Sequence, residues 1–303
     1  MFSKSLHFLS RILPDRIYLN VVYHHHFGRN INFKSPKTYN EKLQWLKLYD
    51  RNPRYVELVD KHTVKDYVKK IIGEQYVIPT LGIWNNVEDI DFSKLPDSFV
   101  LKCTHDSGGI VVCKEKTSFD INQAKKILKK HLRINYFYGG REWPYKGIKP
   151  KIIAEPYIID AETNELRDYK LFTFDGATKA LFIASDRLTE GEETKFDFFD
   201  EHGCHLDIKN GHPNAHPTPL LPKKLDLMKE LATKLAKGIP HVRVDFYEAN
   251  DKVYFGEMTF YHFSGFVPFQ PEQWDYKFGS WIKLPAKKSN CTRKKNRNEA
   301  SHD

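Results

Sequence analysis

The chain has 303 residues, of which 40% are hydrophobic and 14% aromatic, enough to build a sizeable core in one large domain or several subdomains. No apolar run approaches the roughly 18 residues of a transmembrane helix, so none is expected to span a membrane. Four cysteines without Cys-x-x-Cys spacing indicate reduced cytosolic thiols rather than a disulfide framework.

The C-terminal segment supplies +4 of the net charge of +9, and the rest of the chain supplies +5. Residues 286–303 contain six basic and two acidic residues and almost nothing to bury, so we expect residues 285–303 to form a disordered basic tail. Such a tail either binds nucleic acid or anionic lipid or stays solvated, and we expect no nucleic-acid partner. The first segment, MFSKSLHFLSRILPDR, lacks a small-residue cleavage site, which predicts a cytoplasmic protein.

Residues 1–58 are predicted to form a helical extension. Four apolar residues recur there at near-helical spacing, namely Phe2, Leu6, Leu9 and Leu13. This spacing indicates an amphipathic helix that either docks on the protein's own core or lies on a membrane surface. The second case would give a peripheral contact at the inner membrane face. A further helix is predicted to begin at Ser35-Pro36.

Residues 59–150 are predicted to form a helix, a strand, a hairpin and a second helix. Asp60 can cap the first helix, and Gly73 ends it. The strand-like run YVIPTLGIW follows. The segment SFVLKCTHDSGGIVVCKEK contains two β runs joined by residues 104–109, and INQAKKILKKHL has the pattern of a helix.

Residues 151–284 are predicted to be mostly strands. The runs KIIAEPYIID, DYKLFTFDG and ALFIASDR are strand-like, the stretch from Thr189 to Pro222 is rich in loop residues, and LPKKLDLMKELATKLAKGIP is a predicted helix. A hairpin of VRVDFY and KVYFGEMTF follows. Because strands and helices interleave throughout, we expect an α/β or α+β layered fold.

The hairpin carries a carboxylate in each strand. Period-two alternation places Arg243, Asp245 and Tyr247 on one face, and it places Phe255, Glu257 and Thr259 together on the second strand. With a three- or five-residue loop, Asp245 lies opposite Glu257. Two unpaired carboxylates there would repel by roughly 3 kcal/mol at an effective dielectric constant near 20. We therefore expect a cation between them, which is either Arg243 alone or Mg²⁺.

A second informative feature is the loop after the strand FVLK. Gly108 and Gly109 let backbone N–H groups approach an anion, and Ser107 adds a hydroxyl donor. Lys102 lies near the strand end, where it can place a charge on a phosphate. The alternative is a hairpin with an ordinary Gly-Gly turn. The loop matches neither GxxxxGK[ST] nor GxGxxG.

Five segments taken in order form one pattern. They are DKHTVK, VIP, VLKCTHDSGG, IIAEPYI, and RVDFY with GEMTF. This order resembles the ATP-grasp superfamily, and within it the TupA-like branch, which is implicated in bacterial polysaccharide and teichuronopeptide synthesis. The resemblance runs from about Tyr39 to Leu284. It implies an ATP-grasp fold whose two subdomains, residues 59–150 with the lid and residues 151–284 with the metal site, grip the nucleotide.

The resemblance implies ATP and Mg²⁺ as cofactors and assigns roles in the first subdomain. Lys65 and Lys102 match the two lysines that contact the nucleotide phosphates, and Lys102 is also taken as catalytic. The loop from His105 to Gly109 matches the flexible glycine-rich lid over the triphosphate. The residues carried over from this lid are His105, Ser107, Gly108 and Gly109.

The same resemblance assigns roles in the second subdomain. Glu155 and the backbone after it match the hinge that meets the adenine edge, and Asp168 matches the acid that meets ribose. Arg243 matches the catalytic basic residue beside the transferred phosphoryl group. Asp245 and Glu257 match the Mg²⁺ ligands.

One position departs from the superfamily pattern. Many ATP-grasp enzymes carry Glu-x-Asn on the second metal strand, whereas this chain has Glu257-Met258-Thr259. A threonine hydroxyl is a poorer metal ligand than an amide oxygen. Thr259 is therefore predicted either to bind the metal or only to order a water, which leaves a second metal ion in doubt.

Three other clusters leave alternatives open. His24, His25 and His26 are adjacent in sequence and cannot converge easily on one ion. A loop with HxxxH spacing resembles half a zinc site, with the candidate ligands Cys204, His205, His212 and His216. The segment from Arg141 to Pro150 either packs at a subdomain junction or binds an acceptor sugar.

The pattern predicts an ATP-dependent carboxylate–amine ligase that works through an acyl phosphate. The resemblance implies a uronic acid or amino acid as substrate, with a lipid- or nucleotide-linked glycan as a further partner, in the synthesis of a cell-surface polysaccharide. The alternatives are a glycosyltransferase of a polysaccharide locus and a sugar kinase on the same fold. A nucleic-acid-binding module is a third class, and it would show strong salt dependence and indifference to ATP.

Overall fold

The computed structural model describes residues 11–163, 165–186 and 191–287. Its α-helices are α1 (Asp15–Phe27), α2 (Tyr39–Tyr49), α3 (Arg54–Val59), α4 (Val64–Ile72), α5 (Ile121–Leu132), α6 (Phe137–Gly140), α7 (Leu225–Leu235) and α8 (Gln273–Trp281). Its strands are β1 (Gly82–Trp84), β2 (Phe99–Cys103), β3 (Ile110–Cys113), β4 (Ile152–Pro156), β5 (Asp168–Phe174), β6 (Ala177–Ser185), β7 (Lys195–Asp200), β8 (His205–Leu206), β9 (His241–Ala249) and β10 (Lys252–Thr259).

Two sheets organise these elements. The smaller sheet has the strand order β1-β4-β2-β3, and the larger has the order β10-β9-β5-β6-β7-β8. Neighbouring strands are antiparallel in both sheets. The predicted layering of helices and strands is therefore confirmed, with the antiparallel pairing of an α+β protein.

Each sheet has its own apolar core. The large core joins the six-stranded sheet to helices α2, α3, α4, α7 and α8, and Tyr39, Phe172 and Phe278 meet edge to face near its centre. The smaller core lies between the four-stranded sheet and α5, where Leu128 is fully buried. A third cluster holds α1 against Phe266. These packed layers fix the strands that carry the charged residues described below.

The hairpin of β9 and β10 has the predicted pairing of Asp245 with Glu257, but its turn is shorter than expected and its second strand contains a bulge. Its turn has two residues, Asn250 and Asp251, both with positive φ, as a type I′ turn requires. Continued from this turn, a regular ladder would place Gly256 opposite Asp245. A bulge between Phe255 and Glu257 shifts the register by one residue, so Glu257 pairs with Asp245 and Thr259 with Arg243. Phe255 consequently pairs with Phe246 and is buried in the core, so the prediction that it shares a face with Glu257 is wrong.

Two predicted boundaries differ in the structure. Helix α2 begins at Tyr39 rather than at Ser35-Pro36, because Thr38 and Glu41 form a capping box. The predicted loop-rich stretch from Thr189 to Pro222 contains strands β7 and β8 on the outer edge of the large sheet. Charged and apolar residues alternate in β7 only from Lys195 to Phe198, and Phe199 breaks the alternation, so the strand signal there is short.

Some predictions fall on other parts of the chain. Residues 2–10 of the predicted N-terminal amphipathic helix and residues 288–303 of the predicted basic tail lie outside the described residues. Within the described ranges, no helix combines the length and apolarity needed to cross a bilayer.

Candidate active site

Charged side chains form two adjoining rows on one face of the large sheet. Strand pairing sets Lys170 of β5 beside Asp245 of β9, which in turn faces Glu257 of β10. In the next row, Arg243 pairs with Thr259. Because residues paired across antiparallel strands point to the same side, these five side chains lie together.

Asp245 is the centre of this arrangement. It is fully buried, and Arg243 donates to both of its oxygens, from Nε to Oδ1 at 2.7 Å and from Nη2 to Oδ2 at 2.7 Å. Lys170 donates to Oδ2 at 2.5 Å. The predicted cation between the strands is therefore partly supplied by the chain, through two basic residues rather than through Arg243 alone.

Burial and the neighbouring carboxylate of Asp245 act in opposite directions on the pKa of each basic residue in the cluster. Burial lowers the pKa of Arg243, but attraction to Asp245 outweighs it and the net pKa is raised. For Lys170, burial lowers the pKa and the neighbouring Asp245 opposes it, leaving the pKa below its ordinary value. Lys170 also lies 3.5 Å from Oδ2 of Asp168, the predicted ribose acid, which is buried.

His262 completes the shell around Arg243. Nη1 of Arg243 donates to Nδ1 of His262 at 2.6 Å, and Nε2 of His262 donates to Oδ1 of Asn210 at 2.8 Å. Burial and the charge of Arg243 hold the pKa of His262 well below its usual range. A neutral imidazole thus orients the guanidinium without adding a second positive charge.

Glu257 is the more exposed of the two opposed carboxylates, with 38% of its side chain accessible. Thr259 donates to its Oε1 at 3.3 Å, and Nη2 of Arg243 lies 3.5 Å from the same oxygen. Arg243 also donates to Oγ1 of Thr259 at 3.0 Å. Lys61 approaches Oε2 at 3.9 Å. These contacts are longer than those at Asp245, so Glu257 is the carboxylate best placed to meet an incoming ligand.

Lys61 connects this cluster to the glycine loop. Its backbone N–H donates to the carbonyl of Thr104 at 3.0 Å, and its ammonium group donates to the carbonyl of Asp106. Because the same ammonium group lies near Glu257, the loop after β2 sits beside the exposed carboxylate. The structure therefore brings together two features that are about 150 residues apart in sequence.

The glycine loop is less open than the resemblance implies. His105 and Asp106 are buried; the ring of His105 bonds the carbonyl of Ile134 at 3.0 Å. The carboxylate of Asp106 accepts from the N–H of Gly109 at 3.1 Å and from Nδ1 of His131 at 2.5 Å. Only the tip at Ser107 and Gly108 is exposed. This tip is therefore the part of the predicted lid that can move over a ligand without breaking these contacts.

A second charged cluster joins the two predicted phosphate lysines to the predicted hinge acid. Lys65 and Lys102 each lie 2.5 Å from Glu155, one on each carboxylate oxygen. Burial raises the pKa of Glu155, but the two ammonium groups outweigh it and the net pKa falls below the usual range. Lys65 further donates to the carbonyl of Ile78 and the hydroxyl of Thr80. Register pairing of Lys102 with Ile153 and Val100 with Glu155 fixes this arrangement across β2 and β4.

Sequence reasoning missed three residues of these clusters, namely Lys61, Lys170 and His262. Lys170 left a usable signal, since Asp168 and Lys170 alternate within DYKLFTF, an otherwise apolar and aromatic strand. This is the same signal that identified Arg243 and Asp245. Lys61 stood within the quoted segment DKHTVK, and His262 carried no pattern of its own.

The alternative metal sites do not form. Among the described residues, no group of three His, Cys, Asp or Glu side chains could hold a metal ion. His205 instead pairs with Asp197, and the ring of His212 packs on Phe196. His24, His25 and His26 occupy the last turn of α1. In the described part of the chain, neither place therefore presents the ligand group of a zinc site.

The segment from Arg141 to Pro150 packs at a junction between elements. Arg141 is buried against Asp15 and the carbonyl of Leu13, and the ring of Trp143 lies 6.1 Å from that of Tyr55. The packing alternative therefore accounts for Arg141 and Trp143.

The chain also contains an Asp-x-Asp pair, Asp89-Ile90-Asp91, a sequence common in metal-dependent glycosyltransferases. Asp91 accepts from the N–H and hydroxyl of Ser93, and Asp89 accepts from the side chain of Asn86. Asp91 thus caps a short turn, and among the described contacts neither carboxylate bonds to a residue of the charged rows of the large sheet.

The donor set of the hairpin fits a divalent cation such as Mg²⁺. Asp245 and Glu257 present carboxylate oxygens from directly opposed positions, and hard oxygen donors from one or two residues are what Mg²⁺ takes in proteins. Thr259 is engaged with both Arg243 and Glu257. Its hydroxyl is therefore better placed to orient Glu257 than to serve as a third ligand.

Comparisons with solved structures show similarity to ligases at low sequence identity. The D-alanine–D-alanine ligase from Helicobacter pylori is 17% identical, with a TM-score of 0.44 over 81% of this chain and 69% of that one. The D-alanine–D-alanine ligase from Bacillus anthracis, complexed with ATP, is 16% identical, with a TM-score of 0.39 over 67% of this chain and 55% of that one. The ATP-grasp ligase PsnB, complexed with minimal precursor, Mg and ADP, is 10% identical, with a TM-score of 0.40 over 73% of this chain and 57% of that one.

The chain thus spans little more than half the length of the Bacillus anthracis ligase and of PsnB. A comparison with curated proteins found no match. The model of one family, described as TupA-like ATPgrasp, matches residues 41–283, which include both charged clusters and the glycine loop. The chain belongs to the TupA-like ATP-grasp family.

Proposed function

We propose that the protein is an ATP- and Mg²⁺-dependent carboxylate–amine ligase that works through an acyl phosphate. One observation carries this proposal: the opposed carboxylates Asp245 and Glu257 lie beside Arg243 and are joined to the glycine loop through Lys61. Phosphoryl transfer requires positioned cations around the transferred group and little covalent chemistry from the protein. The cluster supplies cations and metal-binding carboxylates in one place.

The nucleotide would lie between the glycine loop and the large sheet. We propose that Lys65 and Lys102, which both form ion pairs with Glu155, contact the phosphates. Lys61 would contact them as well, from its place beside Glu257. Ser107 and Gly108 at the exposed tip would close over the triphosphate. Glu155 with the backbone after it would meet the adenine edge, and Asp168 would meet ribose.

Asp245 and Glu257 would hold Mg²⁺, which supplies charge neutralisation at the β- and γ-phosphates when it is bound. Arg243 is fixed by two hydrogen bonds to Asp245 and by His262, so its guanidinium is already oriented before substrates arrive. We propose that Arg243 stabilises charge that develops on the transferred phosphoryl group. The closed loop tip would exclude water from the acyl phosphate until an amine attacks.

The family suggests the substrate class. We propose a uronic acid or an amino acid as the carboxylate, joined to an amine in the synthesis of a bacterial cell-surface polysaccharide, with a glycan partner that is lipid- or nucleotide-linked. We place this activity in the cytoplasm, with a peripheral contact at the inner membrane face when the glycan is lipid-linked. Support comes from the family match over residues 41–283.

A thermal-shift experiment tests the nucleotide class. ATP with Mg²⁺, at about 100 times its Kd, is expected to stabilise the protein by about 2.7 kcal/mol, whereas UDP-sugars are expected to give no shift. Lys102→Ala should lose most of the ATP shift, because the triphosphate then lacks a cation. Lys94→Ala, which removes an exposed lysine of the same region, is the matched control. Stabilisation by UDP-sugars instead of ATP would favour the glycosyltransferase.

A further inference from the structure

The contacts of Asp245 limit how many cations this site can accept. A carboxylate offers about four lone-pair positions, two on each oxygen. Oδ2 accepts from Lys170 and from Nη2 of Arg243, while Oδ1 accepts from Nε of Arg243. Among the described residues, these donors leave one acceptor position on Asp245, and it is on Oδ1.

Lys170 cannot easily leave its place. Only 8% of its side chain is accessible, and its strand is buried along its whole length between β6 and β9. Its ammonium group lies between two carboxylates, at 2.5 Å from Asp245 and 3.5 Å from Asp168. Withdrawing it would leave both of these buried carboxylates without that cation, which is costly.

Thr259 on strand β10 also limits the number of cations that the site can bind. Its hydroxyl already accepts from Arg243 and donates to Glu257, at the position where many ATP-grasp enzymes carry an asparagine amide. Among the described residues, the site therefore has one remaining acceptor position on Oδ1 of Asp245, one partly exposed carboxylate at Glu257, and a threonine hydroxyl already in use.

We infer that the site binds a single divalent cation, at Glu257 and Oδ1 of Asp245, and that the ammonium group of Lys170 takes the place of a second. This inference rests on the proposed function and specifies its metal requirement. The charges agree with it, since Asp168, Asp245 and Glu257 are matched by Lys170, Arg243 and Lys61. A second dication would have to approach Lys170 against repulsion.

Counting Mn²⁺ by electron paramagnetic resonance during titration of the protein with AMPPNP tests the inference without turnover. The wild type is expected to hold one Mn²⁺ per bound AMPPNP. Lys170→Met, which removes the charge and keeps the apolar stem, is expected to hold two. Lys170→Arg, which keeps the charge, should remain at one.

Two Mn²⁺ per nucleotide in the wild type would overturn the inference, as would a count that stays at one in Lys170→Met. If Lys170→Met does not fold, Thr259→Asn replaces it as the test: an amide ligand is added while Lys170 remains, and one Mn²⁺ is expected, whereas two would overturn the inference. A wild type that binds no AMPPNP at all would contradict the proposed function instead, so the two failures are distinguishable.

Discussion

Glu257→Gln is expected to reduce Mg²⁺-dependent turnover at least about 100-fold, since loss of even an outer-shell partner of a metal costs about 10–100-fold. The fold should be unaffected. Glu257 is 38% accessible, and its contacts with Thr259, Arg243 and Lys61 are all 3.3 Å or longer. Replacing this carboxylate by an amide therefore removes the proposed metal ligand but leaves no buried charge alone. Steady-state rates at saturating ATP, together with the melting temperature, measure both effects.

The matched control is Glu230→Gln, an exposed glutamate on α7 paired only with Lys234 in the described contacts. It should leave both rate and melting temperature unchanged. If Glu257→Gln retains full activity, or if the wild type binds ATP equally well with and without Mg²⁺, the two carboxylates form a structural ion-pair cluster and hold no metal.

Asp245→Asn is expected to behave differently and to lower the free energy of unfolding by about 3–5 kcal/mol, the usual cost of breaking a buried ion pair. Asp245 is fully buried and accepts from both Arg243 and Lys170. An amide in its place leaves two buried cations without their shared counter-ion. Opposed carboxylates alone would suggest that the substitution relieves repulsion, but the basic residues on either side reverse that expectation.

Urea denaturation measures this loss, with Asp226→Asn as the control because Asp226 is almost fully exposed on α7. A double variant, Asp245→Asn with Lys170→Met, should recover part of the stability, since one of the two uncompensated cations is gone. Unchanged stability in Asp245→Asn would show that Arg243 and Lys170 find other partners. Their contacts would then not depend on Asp245.

The central pairing of the site could be predicted from the sequence, but not for the reason that produced it. Alternation within VRVDFY and KVYFGEMTF placed Asp245 opposite Glu257, and the structure confirms this pairing. A two-residue turn alone would have broken it, and the bulge at Gly256 restores it. A bulge changes the face of every residue beyond it, and the alternation does not report one, so Phe255 was placed on the wrong side.

The missed residues share a physical cause. Lys61 reaches Glu257 and the glycine loop only because α3, which ends just before Lys61, packs beside β10, and Lys170 reaches Asp245 only because β5 pairs with β9. Both contacts depend on which elements become neighbours in the fold, which local periodicity does not determine. The same holds for His105: its ring bonds the carbonyl at Ile134, just beyond α5. The flexible lid was implied by the family resemblance, and the glycine-rich pattern itself left an ordinary Gly-Gly turn open.

Trapping the acyl group with hydroxylamine tests the ligase assignment most directly. Incubated with ATP, Mg²⁺ and a uronic acid or amino acid, the enzyme is expected to release phosphate slowly. Hydroxylamine added in place of the amine should then yield ADP, phosphate and a hydroxamate in equal amounts, because the acyl phosphate is held away from water until a nucleophile arrives. If ADP forms while the phosphate remains on a sugar hydroxyl and no hydroxamate appears, the protein is a sugar kinase on the ATP-grasp fold and the ligase assignment is wrong.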